Sequence, residues 1–404
     1  MRTYLAHALA AVTAVAAPVT LAPRPARACG GMVFPEHAAR VGGMSQQELL
    51  VAFTPERTVL LASVGYEGAT GAPAFILPLP AAPTEVTQAD PAVLVALDEL
   101  TAPEVTVTVI DDDHGGGGLC GSAGSLKDGG GGLGDDRGDV MVLQRGATAD
   151  YDYVLLGGAT GKMIGAWLDA EGYTLPADYA AALDPYVTGG DVIFAAKLKS
   201  TAPSGALAPI ELHLPPTEPG AFSIPFGLAA QSLPPDQGLT ITTYLLAAGG
   251  LAPANYPAAP IDQADLVAYN AIDTNYADLY AEATTAGSWV IDASLRDFSQ
   301  DTLVSALDTA IDAGRADPDD RDAVATFAAH IDLPGARLTR LRTTLSADQL
   351  HDMTLKKVAG EDQSRSLYVT RDESSSAACA VAPRRGVPLA VLLVPLLLLL
   401  RRRR

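Results

Sequence analysis

The sequence predicts an α+β body of mixed, mainly antiparallel sheets with packed helices, then a smaller, mainly helical C-terminal region and a terminal hydrophobic helix. Three observations lead there. Residues 104–110 alternate Val and Thr with period two, the mark of a half-buried strand. Residues 159–171 place Met163, Ile164, Trp167 and Leu168 on one face of a helix. Beyond residue 295 the periodic runs turn helical, at 300–313 and 319–330, with Pro318 and Pro334 as punctuation.

The elements follow in order. Residues 48–53 and 57–66 read as strands. In the second, Thr58, Leu60, Ala62 and Val64 share one face and Val59, Leu61 and Ser63 the other, so both faces are fairly apolar and suit burial. Residues 72–79 form an apolar stretch closed by Pro78 and Pro80. Asp90-Pro91 opens a helix running to about Leu100, with Asp as cap and Pro in the first turn. Strands are expected at 139–144, 151–156, 191–199, 210–214 and 238–247, and a second helix at 176–186. A longer helix over 262–286 carries Tyr269, Tyr276 and Tyr280 at spacings of one helical face, which reads as core. A short strand follows at 289–291. In the C-terminal region Leu303, Leu307 and Ile311 form one stripe, 338–345 and 348–358 continue the helical series, and 366–370 is a strand.

Between the strand at 104–110 and the next one the chain is rich in Gly and Asp. Residues 111–139 cannot bury a core and read as a mobile loop. Its glycine runs fit the dinucleotide pattern G-x-G-x-x-G by composition alone, with no following helix to hold a phosphate. A single Gly-Gly-Leu-Gly-Asp-Asp run at 131–136 falls short of the stacked copies that a calcium β-roll needs. Asp111, Asp112, Asp113, Asp135 and Asp136 are weak candidates for adventitious calcium. Gly161-Lys162 lacks the surrounding residues of a phosphate loop.

The ends set the compartment. Arg2, an apolar run over 5–21 and Ala26-Arg27-Ala28 make the three parts of a signal peptide, with cleavage after Ala28. Cys29 is then the first mature residue; lipidation of Cys29 and an uncleaved anchor are the alternatives. At the other end Cys379 precedes Arg384-Arg385, an apolar run over 386–400 and Arg401 to Arg404. Fifteen helical residues reach only ~22 Å against a bilayer core of ~30 Å. Such a span crosses with local thinning and snorkelling arginines, and the terminal arginines stay cytoplasmic. The parts are then a signal peptide over 1–28, the α+β domain over 29–295, a mainly helical extension over 296–372, a linker containing Cys379 over 373–385, and a hydrophobic helix with an Arg-rich end over 386–404.

Nine of the 27 basic residues lie in these ends, which hold no acids. The body keeps 18 against 47 acidic residues, a balance of −29. That balance argues against nucleic acid, whose phosphates require Lys and Arg. With Cys379 in the tail, Cys29 and Cys120 remain. In an oxidising compartment they form a candidate disulfide; two free thiols, or a lipidated Cys29, are the alternatives.

Catalytic motifs are missing. There is no H-E-x-x-H and no G-x-S-x-G. None of His37, His114, His213, His330 and His351 has a second His at metal-ligand spacing. His213 shares a strand face with Glu211, two ligands at best, and reads as a surface pair. A pocket gathering His213, Glu211 or Lys197 is the arrangement that would favour an enzyme.

Several short runs carry a resemblance in their order: Cys29-Gly30-Gly31, Phe75-Ile76-Leu77-Pro78-Leu79-Pro80, the run from Leu97 to Pro103, the run from Trp167 to Tyr173, Phe194-Ala195-Ala196-Lys197-Leu198, Asn255-Tyr256 and Asn275-Tyr276. Over 29–294 the chain resembles the bacterial exported domain-of-unknown-function family number 2330. That resemblance implies export and a shared fold, and transfers no catalytic or cofactor-binding residue. Members often have a second Cys soon after Cys-Gly-Gly, which this chain lacks. Residues 377–404 resemble the myxobacterial C-terminal sorting signals, in which the tail is cut near the Cys and the protein moves to the cell surface; a plain single-pass anchor is the alternative. The expected protein is an exported, membrane-tethered or surface-sorted envelope protein with a binding or structural role. Its partners would be the membrane, through the C-terminal helix, and the export and sorting machinery. The competing readings are an extracytoplasmic enzyme with an unrecognised site and a cation-responsive assembly subunit.

Overall fold

The computed structural model describes residues 31–35, 43–67, 71–110, 140–157, 160–176, 178–200, 204–233 and 237–372. The expectations for Ala28, Cys29, Asp111, Asp112, Asp113, Cys120, Asp135, Asp136, Cys379 and the apolar tail lie outside the described residues. Among the described residues, no helix is long and apolar enough to cross a membrane.

In chain order the strands are β1 (Gly31–Pro35), β2 (Gly43–Phe53), β3 (Thr58–Glu67), β4 (Ala74–Leu79), β5 (Glu85–Gln88), β6 (Glu104–Ile110), β7 (Met141–Ala147), β8 (Tyr151–Gly157), β9 (Tyr173–Thr174), β10 (Val192–Leu198), β11 (Gly205–Ala206), β12 (Ile210–Leu214), β13 (Ser223–Ile224), β14 (Gly238–Ala247), β15 (Gly250–Pro253), β16 (Ala258–Ala259), β17 (Trp289–Phe298), β18 (Ala336–Ser346), β19 (Met353–Val358) and β20 (Ser366–Asp372). The helices are α1 (Ala92–Thr101), α2 (Gly161–Ala170), α3 (Tyr179–Gly189), α4 (Tyr276–Thr285), α5 (Gln300–Asp312) and α6 (Arg321–His330). The fold is mixed α+β with mainly antiparallel sheets, as the sequence predicts.

The chain divides into two compact units. Of the described residues, the larger holds those up to 103, those from 140 to 261 and those from 279 to 365. A nine-stranded sheet runs through it in the order β16-β17-β18-β14-β2-β3-β12-β5, with β11 also paired to β3. Only β14·β2 and β16·β17 pair in parallel there. A six-stranded sheet, β7-β8-β10-β4-β1-β9, and a three-stranded one, β13-β19-β15, complete it.

Period-two alternation divides the apolar residues between two cores. Leu49, Val51, Leu60, Ala62 and Val64 join one core with Phe75, Leu77, Phe194 and Leu155 of the six-stranded sheet. Leu50, Ala52, Val59 and Leu61 point the other way, into a core with Val93 and Leu97 of α1, Leu303 and Leu307 of α5, and Val324 and Phe327 of α6. The larger unit is therefore sheet, sheet and helix layer. Leu303 and Leu307 are fully buried and Ile311 packs against the same core, as the predicted stripe requires. Helix α2 begins where Thr160 accepts the Met163 amide with its hydroxyl. Gly161 sits tight against α3: its amide donates to Asp184 Oδ1 at 2.6 Å, and a methyl there would overlap the Ala180 carbonyl oxygen.

Of the described residues, the smaller unit holds 104–110, 262–278 and 366–372, with β6 and β20 as a parallel pair.

Three expectations fail for physical reasons. Residues 262–286 are not one helix: α4 begins only at Tyr276. Before it, Asn270 Oδ1 accepts the amides of Ile272 and Asp273, and Asn275 Oδ1 accepts that of Val267. These side chains offer the backbone partners that compete with a helical ladder. Tyr269 is exposed rather than core. The expected helix at 338–345 is strand β18, between β14 and β17. Its helix-like leucine spacing arises because Ala336 and Leu338 serve the helix-side core while Leu341 and Leu345 serve the other. Arg340 and Arg342 take the intervening positions on the helix side. The segment at 348–358 likewise contains β19, not helix.

Candidate functional site

Strand β12 is where alternation produces chemistry. Ile210, Leu212 and Leu214 enter the core between the sheets. Glu211 and His213 therefore face the helix layer, opposite Leu61 and Val59 of β3 and opposite Thr87 and Glu85 of β5. Helix α6 ends over this face, and its last residue is His330.

The three side chains converge on one oxygen. Glu211 Oε1 lies 2.6 Å from His213 Nε2 and 2.7 Å from His330 Nδ1. The two imidazoles meet edge to face, with centroids 4.9 Å apart. Thr87 Oγ1 donates to Glu211 Oε2 at 3.4 Å. The far nitrogen of His213, Nδ1, is shared: Glu85 Oε2 lies 3.0 Å away and Arg57 Nη1 also 3.0 Å. The side chains of Glu211 and His213 are only 5% and 2% exposed, while His330 is 32% exposed. The expected surface pair is thus a buried one, because β12 is an interior strand flanked by β3 and β5 and roofed by α6. One potential ligand atom from each of Glu211, His213 and His330 lies within 4.8 Å of the others, the geometry from which a metal ion can be held.

Lys197 does not join them. It lies on β10 of the six-stranded sheet, paired in register with Ala74 and Asp152. His351 stacks on Tyr256 with centroids 3.9 Å apart, a packing role. An open groove of about 530 Å³, lined by residues including Phe53, Pro219, Leu251 and Lys357, shares no residue with the cluster.

A second buried polar group occupies the same sheet face. Asp292, fully buried, accepts from Arg342 Nε at 2.9 Å and Nη2 at 3.2 Å. Arg340 lies 3.2 Å from Asp292 and bonds Asp98 of α1 at 2.7 Å. Burial, with a smaller push from Asp98, raises the Glu48 carboxyl above the usual carboxylate range against the pull of Arg340. Burial likewise raises the Tyr244 phenol. These groups close on each other as ion pairs within the fold, a structural network.

The family follows from the sequence pattern. The chain belongs to DUF2330, described as an uncharacterized protein conserved in bacteria, which matches residues 23–321. The match includes Glu211 and His213 and stops short of His330. No curated protein matches the chain. Among solved structures, that of baculovirus P35 is 11% identical, with 57% of this chain and 72% of that chain covered at a TM-score of 0.30. The caspase-8/P35 complex is 9% identical, with 50% and 63% covered at 0.25. Likenesses this slight carry no argument about this chain.

Proposed function

We propose that this chain is an exported bacterial envelope protein that works by binding, with its body outside the cytoplasmic membrane and its C-terminal helix holding it there or handing it to the cell surface. The signal-peptide pattern ending at Ala28 and the Cys379 tail support the location. The observation that carries the role is the Glu211 centre. Two imidazoles converge on one buried carboxylate oxygen at 2.6 and 2.7 Å, a set of ligand atoms suited to an ion rather than to an extended substrate.

Cell fractionation with intact-mass measurement of the envelope-purified protein tests this. The expected mature form begins at Cys29. It ends near Cys379 if the tail is a sorting signal, and at Arg404 if it is a plain anchor. A chain that stays in the cytoplasm with its first 28 residues intact overturns the reading.

A further inference from the structure

The binding centre has a donor set that specifies its ligand. We propose that Glu211, His213 and His330 bind a divalent d-block cation of borderline softness, with Zn²⁺ as its representative. This deepens the binding reading above and rests on it.

Two imidazole nitrogens and one carboxylate oxygen suit zinc and its neighbours in the first row. Calcium and magnesium take six or more oxygens, which this site does not offer. Three protein ligands leave a fourth tetrahedral position for water, and the partly exposed His330 marks the side from which water enters.

Metal–ligand bonds of about 2.0–2.1 Å put tetrahedral ligand atoms roughly 3.4 Å apart. The separations of 2.6 and 2.7 Å in this structure are hydrogen-bond distances. The ligands must open by roughly 0.7 Å to admit the ion. His330, at the end of its helix and partly exposed, is placed to give that movement by side-chain rotation.

The outer contacts provide an independent indication. A histidine that ligates through one nitrogen usually donates the other N–H to a carboxylate, which fixes the tautomer. Glu85 stands 3.0 Å from His213 Nδ1 for that purpose. Arg57 competes for the same atom. With the proton on Nε2, His213 donates to Glu211 and accepts from Arg57 at Nδ1. With a cation on Nε2, the proton moves to Nδ1 and is donated to Glu85, and Arg57 must turn away. Arg57 is partly exposed and already lies 3.9 Å from Glu56, so it has somewhere to go. The charge balance points the same way: two carboxylates and the negative end of α6 face one guanidinium, and a dication offsets the surplus.

The test uses the full, untagged chain in detergent, with thiols alkylated, stripped by chelator and titrated with ZnCl₂ against a chromophoric competitor. The expected result is one Zn²⁺ per chain and, on Co²⁺ substitution, the visible bands of a four-coordinate site. Glu85→Gln weakens zinc about 10- to 100-fold, and His330→Gln, which removes a ligand, weakens it by at least as much. Arg57→Gln tightens it several-fold, a sign that a merely structural cluster would not give. Both weakening variants alter partly exposed side chains, and circular dichroism confirms that they fold. No stoichiometric zinc in the wild type, or unchanged affinity in both weakening variants, overturns the site. A chain that reaches the envelope yet takes up no zinc overturns the metal site alone. A chain that takes up one zinc but is never exported supports the site and overturns the location.

Discussion

Asp292→Asn is the sharpest test of how the helix-side face of the large sheet is held. The substitution keeps the side-chain volume and one acceptor oxygen but removes the charge that answers Arg342 at 2.9 Å and Arg340 at 3.2 Å. Breaking a buried ion pair from one side costs ~3–5 kcal/mol, since the partner charge stays buried and uncompensated. Two features place this case at the low end. Arg340 keeps Asp98 at 2.7 Å. Arg342 is 23% exposed and lies over the Tyr280 ring at 4.3 Å. The expected loss is ~3 kcal/mol. At roughly 2 °C per kcal/mol for a large domain, that lowers Tm by about 6 °C. Urea unfolding reads it directly through fluorescence of the buried Trp289, three residues upstream. Asp98→Asn is the control: its side chain is 46% exposed, so the loss should stay under ~1 kcal/mol. If Asp98→Asn costs more than Asp292→Asn, or if Asp292→Asn is neutral, the ranking by burial is wrong.

Other substitutions probe other layers. Gly161→Ala forces α2 away from the Ala180 carbonyl and should cost ~1–3 kcal/mol in urea unfolding. Leu303→Ala empties a fully buried site between α5 and the sheet, for a loss of ~2–5 kcal/mol by the same measure. Burial raises the Asp191 carboxyl from 3.8 to about 6. The folded state then holds this proton more tightly than the unfolded one, so its contribution to stability falls as pH rises through that interval. Asp191→Asn should raise Tm above pH 6 and leave it unchanged near pH 3, as calorimetry across pH would show.

Much of the sheet was legible because its strands are apolar on both faces or alternate cleanly. Residues 238–247 read as a strand and are β14. Strand β18 was not legible, because two of its core-facing positions are arginines whose burial depends on Asp292 and Asp98, residues far away in sequence. Without those partners in view, Leu338, Leu341 and Leu345 mimic a helix. The same blindness hid the third member of the candidate centre. Glu211 and His213 announce themselves two residues apart, but His330 is 119 residues beyond Glu211, and only the packing of α6 over β12 brings them together. The one available signal was a histidine at the end of a predicted helix. Tyr269 was misplaced for the opposite reason: local Asn side chains outweigh a plausible helical spacing.

The strand order of the nine-stranded sheet has a consequence for how the chain acquires its shape. Strand β2, near the start of the body, lies between β3 and β14, and β14 in turn pairs with β18. The middle of the sheet therefore joins residues from the front, the centre and the rear of the chain. Closing such distant segments is entropically costly, and sheets built this way form slowly. A nascent chain lacking residues 336–346 has no partner for the outer side of β14, and no completed middle. That requirement keeps the middle of the sheet open until the last third of the chain has arrived.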